Sequence, residues 1–278
     1  MTTDITGTPC WLSLMARDLH TAQKFYAGVL GWTFRPTDMG QGFSVAVLDG
    51  VPIAGMGAVA ADFAAPVAWT PYFAVDDADA TVARIRESGG TVGIGPVAFP
   101  PGGRAALATD LEGACFGVWE GRVLSDWRVG DGDAPAWLEL HTKNAFDAAL
   151  FYGRVLEWVD GKYPNGCEVS YEQDQVVLRH EGQAVARLNS GPVDSGSPSP
   201  QLRPRWRVHF KVADLRIAGA AVLRHGGSIV AENQPPGGNQ RLTVRDPEGG
   251  LFTLHRPGGA PRPPSTGMEP PSDGEDDD

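Results

Sequence analysis

The chain has 278 residues, 42% of them hydrophobic, and a formal net charge of −11, an acidic balance that repels phosphate backbones and sets nucleic acid aside as a partner. Its cysteines, Cys10, Cys115 and Cys167, include no CxxC pair, which argues against a disulfide framework or a structural zinc site and fits reduced thiols in the cytoplasm. No apolar run approaches the roughly 18 residues of a membrane helix, and the N-terminus has no basic start followed by an apolar segment, so neither a membrane span nor a signal peptide is expected.

Residues 9–16 read as a strand. Asp18 then suits a helix N-cap, and Leu19, Ala22, Phe25, Tyr26 and Val29 recur at helical spacing until Gly31. Strand-like runs follow near 32–36, 43–48 and 51–59, with Asp49-Gly50 as a hairpin turn between the last two. A second βαβββ module repeats the plan. It has a strand at 69–75, a helix from about Asp77 to Ser88 stopped by Gly89-Gly90, and strands at 91–99, 104–109 and 114–120. Residues 121–134 read as a linker.

The chain then repeats itself. Phe25-Tyr26 through Gly31-Trp32 returns as Phe151-Tyr152 through Glu157-Trp158. Gly89-Gly90 returns as Gly226-Gly227, Pro100-Pro101-Gly102-Gly103 as Pro235-Pro236-Gly237-Gly238, and Asp110-x-Glu112-Gly113 as Asp246-x-Glu248-Gly249. One long period means two copies of a domain rather than a solenoid. We place them at residues 7–122 and 134–257. In the second copy Asn189 to Pro204, rich in Ser, Gly and Pro, reads as a mobile loop that is either inert or a lid. Residues 258–278 end in Glu275-Asp276-Asp277-Asp278 and read as a disordered acidic tail.

Asp18-Leu19 before Phe25-Tyr26 and Gly31-Trp32, with Val75-Asp76-Asp77 and Asp110-x-Glu112-Gly113 further on, resembles the vicinal oxygen chelate superfamily. That superfamily contains glyoxalase I, extradiol dioxygenases and bleomycin-resistance proteins. The resemblance implies an α+β fold of two tandem glyoxalase-like domains, each of paired βαβββ modules that form one cup. It also implies where metal ligands would stand: on the first strand of each module and near the end of a last strand.

By that alignment the ligand positions fall at Trp11, Thr70 and Gly117 in the first copy and at Trp137, Arg207 and Thr253 in the second. None suits a hard or borderline divalent ion, so no metal and no cofactor is expected at the usual centre. Indoles stand there instead: Trp11 and Trp137 on the cup face, with Trp69 and Trp206 beside the second ligand position. A cleft floored by indoles suits a flat conjugated ligand, for which Trp11, Trp69, Tyr72, Trp137, Trp206, Arg207 and His209 are the candidate contacts.

The resemblance extends to metal-free drug-binding members and to accessory proteins of aromatic polyketide pathways such as those for anthracyclines. It implies a binder of a flat polycyclic aromatic natural product, acting in self-resistance or biosynthesis, with a pathway enzyme as a possible partner.

The alternative is an enzyme of the same fold, an oxygenase, hydroxylase, lyase or isomerase. Glu139 and His141 share a strand face by period-two parity and would serve as an acid/base pair, or with His209 or His255 as an off-centre metal site. The bland alternative is that these groups orient ligand hydroxyls or satisfy one another. Nucleophile and phosphate-loop signatures are absent from the sequence.

Overall fold

The structure, a computed structural model, describes residues 5–62, 65–99, 102–125, 127–130, 134–158, 167–172, 175–233 and 240–256. The predicted acidic tail lies outside these residues.

The first half opens with β1 (Pro9–Met15), α1 (Leu19–Leu30), β2 (Thr33–Pro36), β3 (Phe43–Leu48) and β4 (Val51–Gly57). The same order returns in β5 (Ala68–Val75), α2 (Ala78–Glu87), β6 (Thr91–Phe99), β7 (Gly103–Thr109) and β8 (Cys115–Glu120). The second half begins with β9 (Ala136–Thr142), α3 (Ala145–Val155), β10 (Glu168–Glu172), β11 (Gln175–His180) and β12 (Gln183–Ser190). It closes with β13 (Arg205–Lys211), α4 (Leu215–Arg224), β14 (Ser228–Asn233), β15 (Arg241–Arg245) and β16 (Leu251–His255).

Each half is one 8-stranded mixed sheet, ordered β2-β3-β4-β1-β5-β8-β7-β6 and β10-β11-β12-β9-β13-β16-β15-β14. The first strands of paired modules meet antiparallel at the centre, with Ser13 opposite Thr70 and Glu139 opposite Arg207. The architecture is therefore α+β, with two tandem copies of paired βαβββ modules. Among the described residues no helix is long and apolar enough to cross a membrane.

Local sequence explains the helix limits. Asp18, Asp77, Asn144 and Asp214 each sit in extended backbone and accept hydrogen bonds from the first-turn amides of α1, α2, α3 and α4. Gly31 ends α1 in the left-handed region at φ 71°, where its amide bonds back to the Ala27 carbonyl.

Alternation along the central strands sorts their residues to two faces. Leu12, Leu14, Trp69 and Phe73 share one continuous core with Leu138, Leu140, Trp206 and Phe210. Trp69 and Phe210 pack edge-on at 5.1 Å between ring centroids, and Trp32 meets Phe210 at 5.0 Å. Helix α1 packs against α4 and α2 against α3. The two sheets are thus back to back, and their other faces, the two cups, turn away from each other.

The repeated motifs form the joint between the halves. Tyr26 donates to Asp246 and Tyr152 donates to Asp110, each at 3.0 Å and buried. The other oxygen of each aspartate caps its own turn, receiving the Glu112 and Ala114 amides or the Glu248 and Gly250 amides. Glu248 accepts from the Arg17 and Asp18 amides, and Glu112 accepts from the Lys143 amide, so each glutamate binds the segment before the opposite half's helix. The double glycines admit the motif phenylalanines: a Cβ on Gly90 would stand 2.9 Å from Phe151, and one on Gly227 would stand 2.7 Å from Phe25.

Candidate functional site

The two cups carry different chemistry on one scaffold. In the first, β1 presents Trp11, Ser13 and Met15 beside Thr70 and Tyr72 of β5, and Gly117 of β8 pairs with Tyr72. The glycines make room for rings: a Cβ on Gly117 would stand 2.3 Å from the Tyr72 ring, and one on Gly55 would stand 2.9 Å from the Trp11 indole nitrogen. Trp127, in the stretch read as a plain linker, reaches back to this cup. Its ring lies 5.9 Å from Trp11, and its indole N–H donates to the Ile53 carbonyl at 2.8 Å. An aromatic residue inside a loop-like segment was the available signal for that contact.

The second cup is polar and basic. Strand β9 presents Trp137, Glu139 and His141; β13 presents Arg205, Arg207 and His209; β12 adds Arg187, β15 adds Arg241 and Arg245, and β16 adds Thr253 and His255. Trp137 clusters with Val177 and Ala184, apart from the shared core. The Arg187 guanidinium lies over the Trp137 ring at 5.3 Å.

Glu139 is the hub. It is 6% exposed. It receives Arg241 Nη1 at 2.9 Å and the Trp137 indole N–H at 3.2 Å, and His209 Nε2 stands 3.2 Å from its other oxygen. Burial works to raise its pKa, but the charges of His209 and Arg241 and their contacts hold it well below the usual carboxylate range.

His141 pairs with Arg207 rather than with Glu139: Arg207 Nη2 donates to His141 Nδ1. Arginine only donates, so Nδ1 accepts and the ring proton sits on Nε2. Burial, then the charges of Arg207 and Arg205, lower the His141 pKa to about 4. His255 is lowered to about 4 by burial, with His209 and Arg241 adding to the effect. The Glu139–His141 couple anticipated from strand parity is therefore replaced by a Glu139–His209–Arg241 cluster and a separate His141–Arg207 pair.

The expected contacts Trp11, Tyr72, Trp137, Arg207 and His209 stand on the cup faces. Trp69 and Trp206 do not. They are 4% and 3% exposed in the shared core, where each donates its indole N–H at 2.9 Å to the motif tyrosine of its own half. Their neighbours Thr70 and Arg207 take the cup face, and period-two alternation sends the adjacent residues to the other side. Arg241 and Arg245 escaped notice, although their own spacing on the last hairpin, in step with His255, marks them for this face.

The 191–204 segment borders the second cup. Arg205 donates to the carbonyls of Pro200 and Gln201, Arg245 reaches the Gln201 side chain at 3.4 Å, and Ser195 donates to the Glu112 carbonyl of the first half.

The donor set does not fit the metal centre that the fold suggests. The register puts Trp137, Arg207 and Thr253 in the second cup and Trp11, Thr70 and Gly117 in the first, and none of these supplies imidazole or carboxylate. Among the described residues no three His, Cys, Asp or Glu side chains are gathered to hold an ion. Glu139 is already bonded to Arg241 with His209 beside it, and the surrounding guanidiniums oppose a divalent cation electrostatically.

Tandem sheets of this order, with cups built on the first strands of paired modules, define the glyoxalase-like class, and a glyoxalase-like domain profile matches residues 137–255. The chain belongs to this vicinal oxygen chelate family. CFP32 of Mycobacterium tuberculosis, a protein under a provisional glyoxylase name, is 30% identical over 258 residues, covering 90% of this chain and 95% of that one. The anthracycline biosynthesis protein DnrV of Streptomyces peucetius is 31% identical over 273 residues, covering 91% and 94%. Among solved structures, the Mn(II)-bound glyoxalase from Novosphingobium aromaticivorans superposes with a TM-score of 0.52 at 18% identity, covering 91% of this chain and 82% of that one. At that identity the likeness bears on fold.

Proposed function

We propose that this chain is a small-molecule binding protein for a flat polycyclic aromatic natural product of the anthracycline type. It serves self-resistance or assists biosynthesis as an accessory to a pathway enzyme, and it works without a metal. The observation that carries the reading is the guanidinium-on-indole stack in the second cup. Trp137, itself buried but outside the shared core, has the half-exposed Arg187 over its ring and Arg207 and His209 on the neighbouring strand. Indole and guanidinium planes stack on conjugated rings, contributing about 0.5–1.5 kcal/mol per ring pair beyond area burial. Trp11 and Tyr72 offer a second, uncharged aromatic surface in the first cup. The similarity to DnrV supports an aromatic polyketide as the ligand class.

The enzyme reading uses Glu139 and His141. Its supporting observation is that burial and Arg207 keep the His141 imidazole neutral, as a proton acceptor must be. Against it, a general base works best with a pKa near the operating pH. Glu139 is held far below that by His209 and Arg241, and His141 is lowered to about 4.

The test is a titration of tryptophan fluorescence with anthracyclines on protein of measured metal content, followed by mass analysis of the ligand. Saturable quenching that is lost in Trp137→Ala, with the ligand recovered unaltered, is the expected outcome. A chemically altered ligand, with turnover lost in Glu139→Gln or His141→Asn, would transfer the assignment to the enzyme.

A further inference from the structure

We infer that the second cup, and not the first, is an anion-recognition site, and that its aromatic ligand carries a carboxylate or an ionised phenol received by the arginines around Glu139. This deepens the aromatic-binding reading and rests on it.

The internal repeat supplies the control. Glu139 stands where the first cup has Ser13, and Arg187 stands where it has Gly55, since each pair shares a ladder position with the first strand. Counting from the repeated Trp69 and Trp206, Arg207 replaces Thr70 and His209 replaces Tyr72. Counting back from the repeated Asp110 and Asp246, Arg241 replaces Ala105 and Arg245 replaces Thr109. The first sheet has the same strand order with none of these charges. Folding of the scaffold therefore does not require them.

The charges are also unbalanced. Arg187 and Arg207 are the cross-strand neighbours of Glu139 on either side, and Arg241 bonds to it directly. Arg207 and Arg241 thus share one carboxylate, while Arg187 also lies within the field of Glu172, in a chain whose overall charge is −11. Half-buried cations that share a single counter-charge are costly to hold together. Burial, and then the charge of Arg207, also lower the Arg205 pKa to about 9.

Polar atoms in this cup lack partners. Arg207 Nε, Arg245 Nε and His255 Nδ1 are buried without a hydrogen bond among the described residues. His209, 2% exposed, has neither ring nitrogen in hydrogen-bond geometry, although its Nε2 approaches Glu139 at 3.2 Å. Buried donors of this kind normally find acceptors. An anionic oxygen would serve the guanidinium nitrogens and supply the missing charge, and the half-exposed Arg187 guanidinium, stacked on the buried Trp137, would meet the attached ring.

The experiment compares anthraquinone-2-carboxylate with neutral 2-(hydroxymethyl)anthraquinone, titrated into the full chain at fixed ionic strength. The carboxylate is expected to bind at least tenfold more tightly than the alcohol. The preference should collapse in Arg207→Gln and in Arg245→Gln, and carboxylate affinity should rise in Glu139→Gln, which frees Arg241. Thermal unfolding of each variant establishes that it is folded. Should one fail to fold, the loss of wild-type preference at high salt reads the same charge contribution.

Equal affinity for the two probes would overturn the anion assignment and leave aromatic binding standing. A carboxylate preference untouched by both arginine variants would overturn the placement in the second cup. Binding of neither probe would remove the aromatic-ligand reading itself.

Discussion

Tyr26 and Asp246 lie 220 positions apart and are joined by a buried 3.0 Å hydrogen bond. Trp69 donates to the same tyrosine oxygen, so each half contributes to a relay that crosses the joint, and Trp206, Tyr152 and Asp110 repeat it. Burial raises the pKa of both aspartates, so the tyrosine and turn amides are what make an ionised carboxylate tolerable there.

Removing a tyrosine hydroxyl leaves an indole donor and a carboxylate oxygen unsatisfied in the core. Tyr26→Phe and Tyr152→Phe should each lower stability by about 1–3 kcal/mol. Urea unfolding at neutral pH measures this. A change within error for both would show that the relay contributes nothing net.

The double glycines admit the opposite half's phenylalanines. In Gly90→Ala the new Cβ meets the Thr109 carbonyl at 2.8 Å as well as Phe151, and in Gly227→Ala it meets the Arg245 carbonyl at 2.7 Å as well as Phe25. Backbone atoms cannot swing aside, so each variant should lose about 1–3 kcal/mol. Gly42→Ala, whose Cβ meets nothing within 4 Å, is the control. Similar unfolding midpoints for all three would refute the packing argument.

Glu139→Gln should destabilise the protein by about 1–3 kcal/mol at pH 7, because Arg241 loses its counter-charge. The folded-state pKa of Glu139 is depressed, so its contribution is present above the ordinary carboxylate range and is lost as pH falls through the depressed value. The gap between wild type and variant should therefore narrow on acidification. Denaturation at pH 7 and pH 3 checks the sign.

His141 and His255 are each lowered from 6.5 to about 4. Arg207, Arg205 and Glu139 face the first; His209, Arg241, Lys211 and Glu139 face the second. The folded chain stays neutral there while the unfolded chain takes up protons, so stability should fall as pH drops from 6.5 towards 4. A double His141→Asn, His255→Asn variant should show a flatter melting temperature across that window, read by calorimetry. An unchanged slope would mean that these imidazoles are not held neutral.

The sequence by itself determined the element order, the helix limits and the tandem repeat. Those features are local or periodic: Asp18 caps a helix wherever it occurs, and alternation assigns Trp11 and Trp137 to a face without knowledge of their neighbours. The ligand positions came from the family resemblance, not from parity or composition. Only the tertiary structure decided what each face meets. Trp69 and Trp206 belong to the joint because the two sheets pack back to back, a relation that no single strand encodes. Glu139 finds His209 and Arg241 because cross-strand register and long side chains bring them to it, while Arg207 takes His141. The recurring Phe-Tyr, Gly-Gly and Asp-x-Glu-Gly motifs were legible as a repeat, but their physical role appeared only when each was seen against the opposite half.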